Sequence, residues 1–223
     1  MFFIFAKIQN PNEIQMPLYK TIKPNAETVV YVWKIDESLE ELKLNISLNE
    51  LSEKRLNGMK SELHQRGFLS VRHLLKEAGY SDFDLYYNAY GKPLLRDENH
   101  ISITHSYQFS AIIISNNDVG IDIEKNREKI KKIQRKFVNT KVDSLSEEDL
   151  VKQLTVIWGA KEAMYKTYPY GGLSFHDHIA IDPFLFAEKK STGRVIFDKW
   201  QREYDINFMF FEDPFTLVYA IPK

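Results

Sequence analysis

The stretch Gly120-Ile121-Asp122-Ile123-Glu124 alternates isoleucines with acidic residues and predicts a β-strand. Successive side chains of a strand point to opposite faces, so Asp122 and Glu124 share one face while the isoleucines face the core. Their Cα atoms should lie about 6.6 Å apart, at roughly 3.3 Å per residue. Two carboxylates at this spacing are either part of a solvated strand face or ligands of one hard cation such as Mg²⁺, which prefers oxygen ligands.

A long helix is predicted further along the chain. Ser146 and Asp149 form its expected N-terminal cap, and Pro169 with the glycines after it ends the helix. At about 100° per residue, one arc of about 140° combines aromatic and charged side chains. Five residues occupy it: Trp158, Lys161, Glu162, Tyr165 and Lys166. This face is either an ordinary Glu162–Lys166 ion pair beside a core tryptophan or the wall of a cleft that serves a ligand.

Hydrophobic periodicity outside these two segments predicts a mixed fold. Strands are expected at residues 2–6, 28–33, 101–104, 111–115, 194–197, 206–211 and 215–221, and helices within 51–59 and 68–75. A further helix is expected from Asn126, and its basic residues are either a solvated face or a surface for an acidic partner. We therefore predict an α+β fold of two pseudo-symmetric halves, residues 1–116 and 117–223, each a small, mostly antiparallel sheet packed against helices.

Composition excludes several classes of protein. The 223 residues include 30 Lys and Arg against 31 Asp and Glu, so a nucleic-acid-binding protein that relies on bulk positive charge is excluded. The chain has no cysteine, which removes thiolate nucleophiles, disulfides and Cys-ligated metals. No apolar run approaches the roughly 20 residues that span a bilayer. We expect a soluble, cytoplasmic protein.

The histidines give weaker signals. Thr104-His105-Ser106 follows a predicted strand, and a lone histidine there is either structural or part of a site. Ser106 does not indicate a hydrolase, because nothing nearby resembles a nucleophile elbow. His176 and His178 lack a third ligand and do not predict a metal site.

Taken in order, the motifs resemble the 4′-phosphopantetheinyl transferase superfamily, in its larger type that activates peptide synthetases and carrier proteins. Four segments carry the resemblance: Gly91-Lys92-Pro93, Thr104-His105-Ser106, Gly120-Ile121-Asp122-Ile123-Glu124 and Trp158-x-x-Lys161-Glu162-Ala163-x-x-Lys166. The resemblance implies a monomeric, Mg²⁺-dependent enzyme of the holo-[acyl-carrier-protein] synthase kind. Such an enzyme transfers the 4′-phosphopantetheine arm of coenzyme A to a serine of an apo acyl carrier protein or peptidyl carrier domain. It releases adenosine 3′,5′-bisphosphate and involves neither nucleic acid nor a membrane.

The resemblance also implies roles for individual residues. Asp122, Glu124 and Glu162 match the metal-binding carboxylates, and Glu162 also matches the candidate general base. Lys161 and Lys166 match lysines near the phosphates, and His105 matches a histidine that contacts a phosphate. The expected catalytic set is therefore Glu162, Lys166, Lys161 and His105.

The coenzyme-binding residues follow from the same comparison. Lys92 and Pro93 fall where the adenine end is held, and Thr104 keeps the hydroxyl of a position that is usually serine. Basic residues for the 3′-phosphate are expected at Lys54, Arg55, Lys60 and Arg66. Asn57 stands where a second lysine is expected, so this part of the assignment departs from the family pattern.

Two other functions remain compatible with the sequence. A non-catalytic module that binds coenzyme A or a carrier protein would be indicated by a broken acidic trio, which is intact in this chain. A phosphodiesterase or nuclease would use the same metal cluster, but ligands for a second metal are not apparent.

Overall fold

The structure is a computed structural model that describes residues 18–140, 142, 146–212 and 214–223. The strand predicted at residues 2–6 lies outside the described residues. Before residue 117 the strands are β1 Lys20–Asn25, β2 Thr28–Lys34, β3 Leu85–Tyr87, β4 Pro93–Leu95, β5 His100–Ser106 and β6 Phe109–Ser115. The helices of the same region are α1 Leu39–Lys43, α2 Glu50–Gly58 and α3 Glu62–Glu77.

The second part of the chain contains five further strands and two α-helices among its described residues. The strands are β7 Gly120–Lys125, β8 Ile179–Ile181, β9 Lys190–Phe197, β10 Trp200–Phe211 and β11 Phe215–Pro222. The helices are α4 Ile130–Ile133, a 3₁₀ turn at Gln134–Lys136, and the long α5 Glu147–Thr167.

Two antiparallel sheets dominate the molecule. One has the strand order β1-β2-β6-β5 and the other β7-β11-β10-β9-β8, while β3 and β4 form a separate hairpin. Helix α3 packs on the first sheet and α5 on the second. The predicted α+β class with antiparallel sheets is therefore confirmed. The division at residues 116/117, which stays a proposal, falls in the loop between β6 and β7.

Most predicted elements are present, including the cap of α5. Ser146 Oγ accepts a hydrogen bond from the backbone N–H of Asp149 at 3.1 Å, as the sequence predicts. Helix α3 ends before Gly79, whose φ of 87° lies in the left-handed region that favours glycine. In the described part of the chain, no helix has the length and apolar character needed to cross a membrane.

The prediction of a helix from Asn126 is wrong about where the helix begins and how long it is. Regular α-helix is confined to Ile130–Ile133, and a 3₁₀ turn follows it. No side chain caps the start of this segment. Like charges four residues apart, such as Lys132 and Lys136, also destabilise a helix, so the apolar spacing was not sufficient to sustain one.

Three apolar clusters hold the fold together. One lies between α5 and its sheet and one between α3 and its sheet. The third joins the two sheets through residues of β2, β6, β7 and β11, including Val30, Phe109, Ile121 and Leu217. This shared cluster places the edges of β5 and β7 next to each other.

Candidate active site

Helix α5 approaches β7 so closely that glycine is required at the contact. A Cβ atom added at Gly120 would lie 1.7 Å from the carbonyl oxygen of Ala163, and one at Gly159 would lie 2.8 Å from a methyl group of Val218. No side chain fits at Gly120 without separating the helix from the strand. The close approach brings the charged face of α5 directly over Asp122.

Asp122 is buried, with 6% of its surface exposed. Its Oδ1 accepts hydrogen bonds from Lys166 Nζ at 2.9 Å and from Thr104 Oγ1 at 3.1 Å. Its Oδ2 is also buried and has no hydrogen-bond partner. A buried carboxylate oxygen without a donor is costly, and a cation bound there would offset that cost.

Glu124 and Glu162 add negative charge beside Asp122. Burial, and then the charge of Asp122, raise the pKa of Glu124 to about 7. Burial and Asp122 also raise the pKa of Glu162, while Lys166 partly opposes this shift. The three predicted metal-binding carboxylates are therefore electrostatic neighbours whose charge is incompletely compensated.

These carboxylates do not form a ready-made metal cage. Among the residues that the structure describes, no three His, Asp or Glu side chains are grouped as ligands of one ion. Mg²⁺ usually takes one or two protein carboxylates and completes its shell with water and substrate phosphates. The unpartnered Oδ2 of Asp122 and the raised pKa values of both glutamates fit such an ion.

A cleft of about 560 Å³ opens beside this acidic cluster. Six of the predicted site residues line it: Arg55, Lys92, Pro93, Thr104, His105 and Lys166. Cationic side chains from the first part of the chain thus face Lys166 of α5 across one cavity. Lys161, Asp122, Glu124 and Glu162 are outside the lining, and Glu124 instead borders a smaller basic depression with Arg127 and Trp158.

His105 is exposed to the cleft, although protein encloses one side of its ring. An added Cβ on Gly67 would lie 3.4 Å from that ring. Burial lowers the pKa of His105, and the positive charges of His64, Lys166 and Arg55 lower it further. A bound phosphate would supply the negative charge that favours the imidazolium form.

Lys92 reaches the cleft but already has partners. Its Nζ lies 2.9 Å from Asp118 Oδ1 and donates to the carbonyl of Thr167 at 3.2 Å. Asp118 also pairs with His100 at 3.1 Å and with Arg202 at 3.0 Å. Burial would raise the pKa of Asp118, but these cations hold it below its usual value. The carboxylate therefore ties Lys92 to the second part of the chain.

Lys161 points away from the cleft. It is fully buried, and its Nζ donates to Asn139 Oδ1 at 3.0 Å, to the carbonyl of Phe175 at 2.7 Å and to the carbonyl of Ile179. Burial lowers its pKa to about 8. Lys161 and Lys166 lie about 140° apart around a helix, at opposite margins of the predicted face, which explains why only Lys166 faces the ligand space.

The residues predicted to hold the 3′-phosphate are not brought together. Arg55 lines the cleft and lies over the rings of Phe68 and Tyr87, at 5.6 and 5.4 Å from their centroids. Lys54 and Lys60 are exposed and outside the lining. Arg66 donates to the carbonyl of Ile35 at 3.0 Å. The assignment of these four residues stays a prediction.

Several residues of the cleft were not predicted. Aromatic and histidine side chains complete its wall beside Tyr165 of the predicted helix face: His64, Tyr87, Tyr90, Tyr168 and Tyr170. Tyr90 and Tyr170 make an edge-to-face contact at 6.0 Å from the two sides of the cleft. A sequence signal was available for Tyr90 and Tyr170, because each adjoins a glycine turn, at Gly91 or Gly171. His64 had no comparable signal, and neither did Asp118, which lies outside the lining and pairs with Lys92.

Fold and site together present a cleft lined by cationic side chains beside carboxylates of the kind that divalent cations prefer. Residues 118–211 match the model of the 4′-phosphopantetheinyl transferase superfamily. The chain is also similar to 4′-phosphopantetheinyl transferase gsp of Aneurinibacillus migulanus, with 31% identity over 120 residues. This match covers 52% of the chain and 48% of the relative, so the chain spans about half the length of the curated relative it matches. The resemblance predicted from the motifs is confirmed.

Proposed function

We propose that the protein transfers the 4′-phosphopantetheine arm of coenzyme A to a serine of an apo acyl carrier protein or peptidyl carrier domain. The reaction depends on Mg²⁺ and releases adenosine 3′,5′-bisphosphate, so the enzyme is of the holo-[acyl-carrier-protein] synthase kind. The observation that carries the proposal is the buried Asp122, which has an unpartnered Oδ2 and whose Oδ1 is bonded to Lys166 and Thr104 of the cleft wall. A monomeric state and a cytoplasmic location belong to the same proposal.

The cleft suits the donor substrate in size and charge. Its volume of about 560 Å³ is within the usual range of ligand sites, about 300–1,000 Å³. Lys166, His105 and Arg55 supply the positive charge that a pyrophosphate and a further phosphate require. The tyrosines provide apolar surface for the nucleoside and for the pantetheine chain.

Cleavage of the pyrophosphate requires the stabilisation of negative charge on the transferred and departing oxygens. Mg²⁺ held by Asp122, Glu124 and Glu162 would neutralise part of this charge. Lys166 donates to phosphate oxygens from the cleft wall, and His105 donates to a phosphate once the anion has raised the pKa of its imidazole.

Proton transfer is assigned to Glu162. The carrier serine oxygen attacks the phosphorus that bears the pantetheine arm, and the bond from this phosphorus to the bridging oxygen breaks. The serine proton passes to Glu162, directly or through a water, and adenosine 3′,5′-bisphosphate departs. Because burial and Asp122 raise the pKa of Glu162, its carboxylate is a stronger base than a solvated glutamate.

The test is incubation with coenzyme A, Mg²⁺ and a panel of apo carrier proteins, followed by mass spectrometry of each carrier. We expect at least one carrier to gain the mass of the phosphopantetheine arm. Glu162→Gln should abolish the gain without changing the fold, whereas Glu148→Gln, an exposed change on the same helix, should not. Absence of a mass gain across the panel would refute the proposal.

The same experiment separates the alternative functions. A non-catalytic binding module would bind coenzyme A, measured by calorimetry, and leave every carrier unmodified. A phosphodiesterase would release adenosine 3′,5′-bisphosphate from coenzyme A when no carrier is present. We expect neither result.

A further inference from the structure

One edge of β7 pairs with β11, and the other edge lies alongside β5 without a backbone ladder between them. At this edge, backbone N–H groups of β7 donate to two side-chain hydroxyls of β5 instead of to backbone carbonyls. Ser102 Oγ accepts from the N–H of Ile121 at 3.2 Å, and Thr104 Oγ1 accepts from the N–H of Ile123 at 3.2 Å. Ser102 and Thr104 are both buried. We call this contact the hydroxyl seam: residues 102 and 104 of β5 against residues 121 and 123 of β7.

Thr104 makes one contact that Ser102 does not. Its hydroxyl hydrogen is donated to Asp122 Oδ1 at 3.1 Å while its oxygen accepts from Ile123. A hydroxyl has one hydrogen and two acceptor lone pairs, so both bonds are compatible. The seam therefore connects one strand directly to the carboxylate that the proposed function places at the cation.

We propose that Thr104 is a positioning residue for Asp122, which it holds from the opposite side of the hydroxyl seam. The inference rests on the proposed function for its consequence in catalysis. Thr104, expected from the sequence to contact coenzyme A, would instead support a metal-binding carboxylate.

The two donors on Asp122 Oδ1 differ in rigidity. Lys166 has a long side chain that is partly exposed at the cleft. Thr104 is buried, branched at Cβ and fixed in a paired strand, so its hydroxyl direction is set by the backbone. Thr104 is thus the more rigidly placed of the two donors on Oδ1.

Support of this kind has a measurable effect on metal binding. Loss of a group that hydrogen-bonds a metal ligand typically costs 10- to 100-fold in affinity or activity. The expected signature of Thr104 is a loss of cation affinity and of kcat, with an unchanged KM for the carrier protein.

The chain offers matched variants that separate positioning from structure. Thr104→Val removes the hydroxyl at nearly constant volume and loses both bonds, whereas Thr104→Ser keeps them. Ser102→Ala removes the acceptor of Ile121 but leaves the bond to Asp122 intact. Both Thr104→Val and Ser102→Ala should therefore lower Tm, because each leaves one N–H of β7 without its acceptor, and Thr104→Val also removes a donor to Asp122.

The measurement is a titration with Mn²⁺ alone, followed by electron paramagnetic resonance of the free ion, together with steady-state kinetics. We expect Thr104→Val to bind Mn²⁺ about 10- to 100-fold more weakly. Thr104→Ser and Ser102→Ala should remain within about threefold of the wild type. Equal losses in Thr104→Val and Ser102→Ala, or a failure of Thr104→Ser to restore binding, would overturn the proposal.

The outcome is independent of the transfer assay. If the wild-type protein modifies no carrier, the proposed function fails, but the Mn²⁺ titration still compares the variants. A wild-type protein that binds no Mn²⁺ would overturn the inference about Thr104.

Discussion

Lys161 and Lys166 lie five residues apart on one helix, yet they stand in opposite environments. Lys161 is fully buried and donates to three neutral oxygens, in the loops at Asn139 and Phe175 and at Ile179, the first residue of β8. Lys166 is partly exposed and donates to Asp122 and to the carbonyl of Ile121 on β7. One lysine holds loops against the helix, and the other presents charge to a cleft. The comparison teaches that a charged motif on a helix can serve structure and chemistry at the same time.

The largest effect is expected from Gly120→Ala. This change would separate α5 from β7 and so disturb the surroundings of both Lys161 and Lys166. Ala163, whose carbonyl would lie 1.7 Å from the new Cβ, sits between the two lysines. A clash of the new Cβ with backbone cannot relax by side-chain rotation, so we expect the free energy of unfolding to fall by more than the roughly 1–3 kcal/mol that overpacking typically costs. Urea titration measures it. Gly58→Ala, where nothing lies within 4 Å of the new Cβ, is the control and should not destabilise the protein.

The next largest effect is a loss of transfer activity on substitution of Lys166. Lys166→Met removes a donor for phosphate oxygens, and we expect kcat for phosphopantetheine transfer to fall about 100- to 1,000-fold. The Tm should also fall, because the buried carboxylate of Asp122 keeps Thr104 but loses Lys166 as a donor, so kcat is compared below the Tm of the variant. If transfer remains near the wild-type rate, Lys166 has no role in the reaction.

Lys161→Met should show the reverse pattern. It removes a donor from three oxygens, of which the carbonyl of Ile179 is buried and keeps a bond from Asn139 Nδ2 at 3.2 Å. We expect a loss of about 3 kcal/mol in the free energy of unfolding. Lys132→Met, at an exposed lysine of α4, should change the stability by less than about 0.5 kcal/mol. Below its unfolding temperature, Lys161→Met should retain most of its transfer activity. A large loss of kcat in a stable Lys161→Met protein would contradict the separation of roles.

The smallest expected effect is a pH dependence of stability caused by Glu124, an electrostatic neighbour of the Asp122 carboxylate that accepts from Lys166. The pKa of Glu124 is raised from 4.5 to about 7 by burial and by Asp122, so the metal-free folded state holds this proton more tightly than the unfolded state. Its contribution to stability is full below about pH 4.5 and is lost as the pH rises through about 7. Urea titrations across this interval should show the decline in the wild type. In Glu124→Gln the decline should be smaller, whereas Glu27→Gln at an exposed position should retain it.

Much of the fold was predictable because it depends on local patterns. The alternation at Ile121 and Ile123 indicated a buried strand, and both residues are buried. The cap at Ser146 indicated the start of α5, because capping involves residues three apart in the chain. The helix expected from Asn126 failed since apolar spacing alone does not report a missing cap or repulsion between like charges.

Less of the site was predictable. The spacing of Asp122 and Glu124 indicated one face of a strand, and the mixed face of α5 indicated a cleft. The sequence could not distinguish the environments of Lys161 and Lys166. Their positions on one helix face do not show which of the two lysines other parts of the chain will cover. Asp118 also escaped notice, since its partners Lys92 and Arg202 come from distant parts of the chain.

The sequence by itself determined the strand and the helix that carry the charged residues, the fold class and the resemblance to a transferase superfamily. These follow from periodicity, caps and motif order, which are local properties of the chain. The tertiary structure decided that Asp122 accepts a hydrogen bond from Thr104 across the hydroxyl seam. It also decided that Lys161 is buried and bonded to neutral oxygens. The physical reason is that burial and hydrogen-bond partners depend on residues distant in sequence, which meet only when the two sheets close on one another.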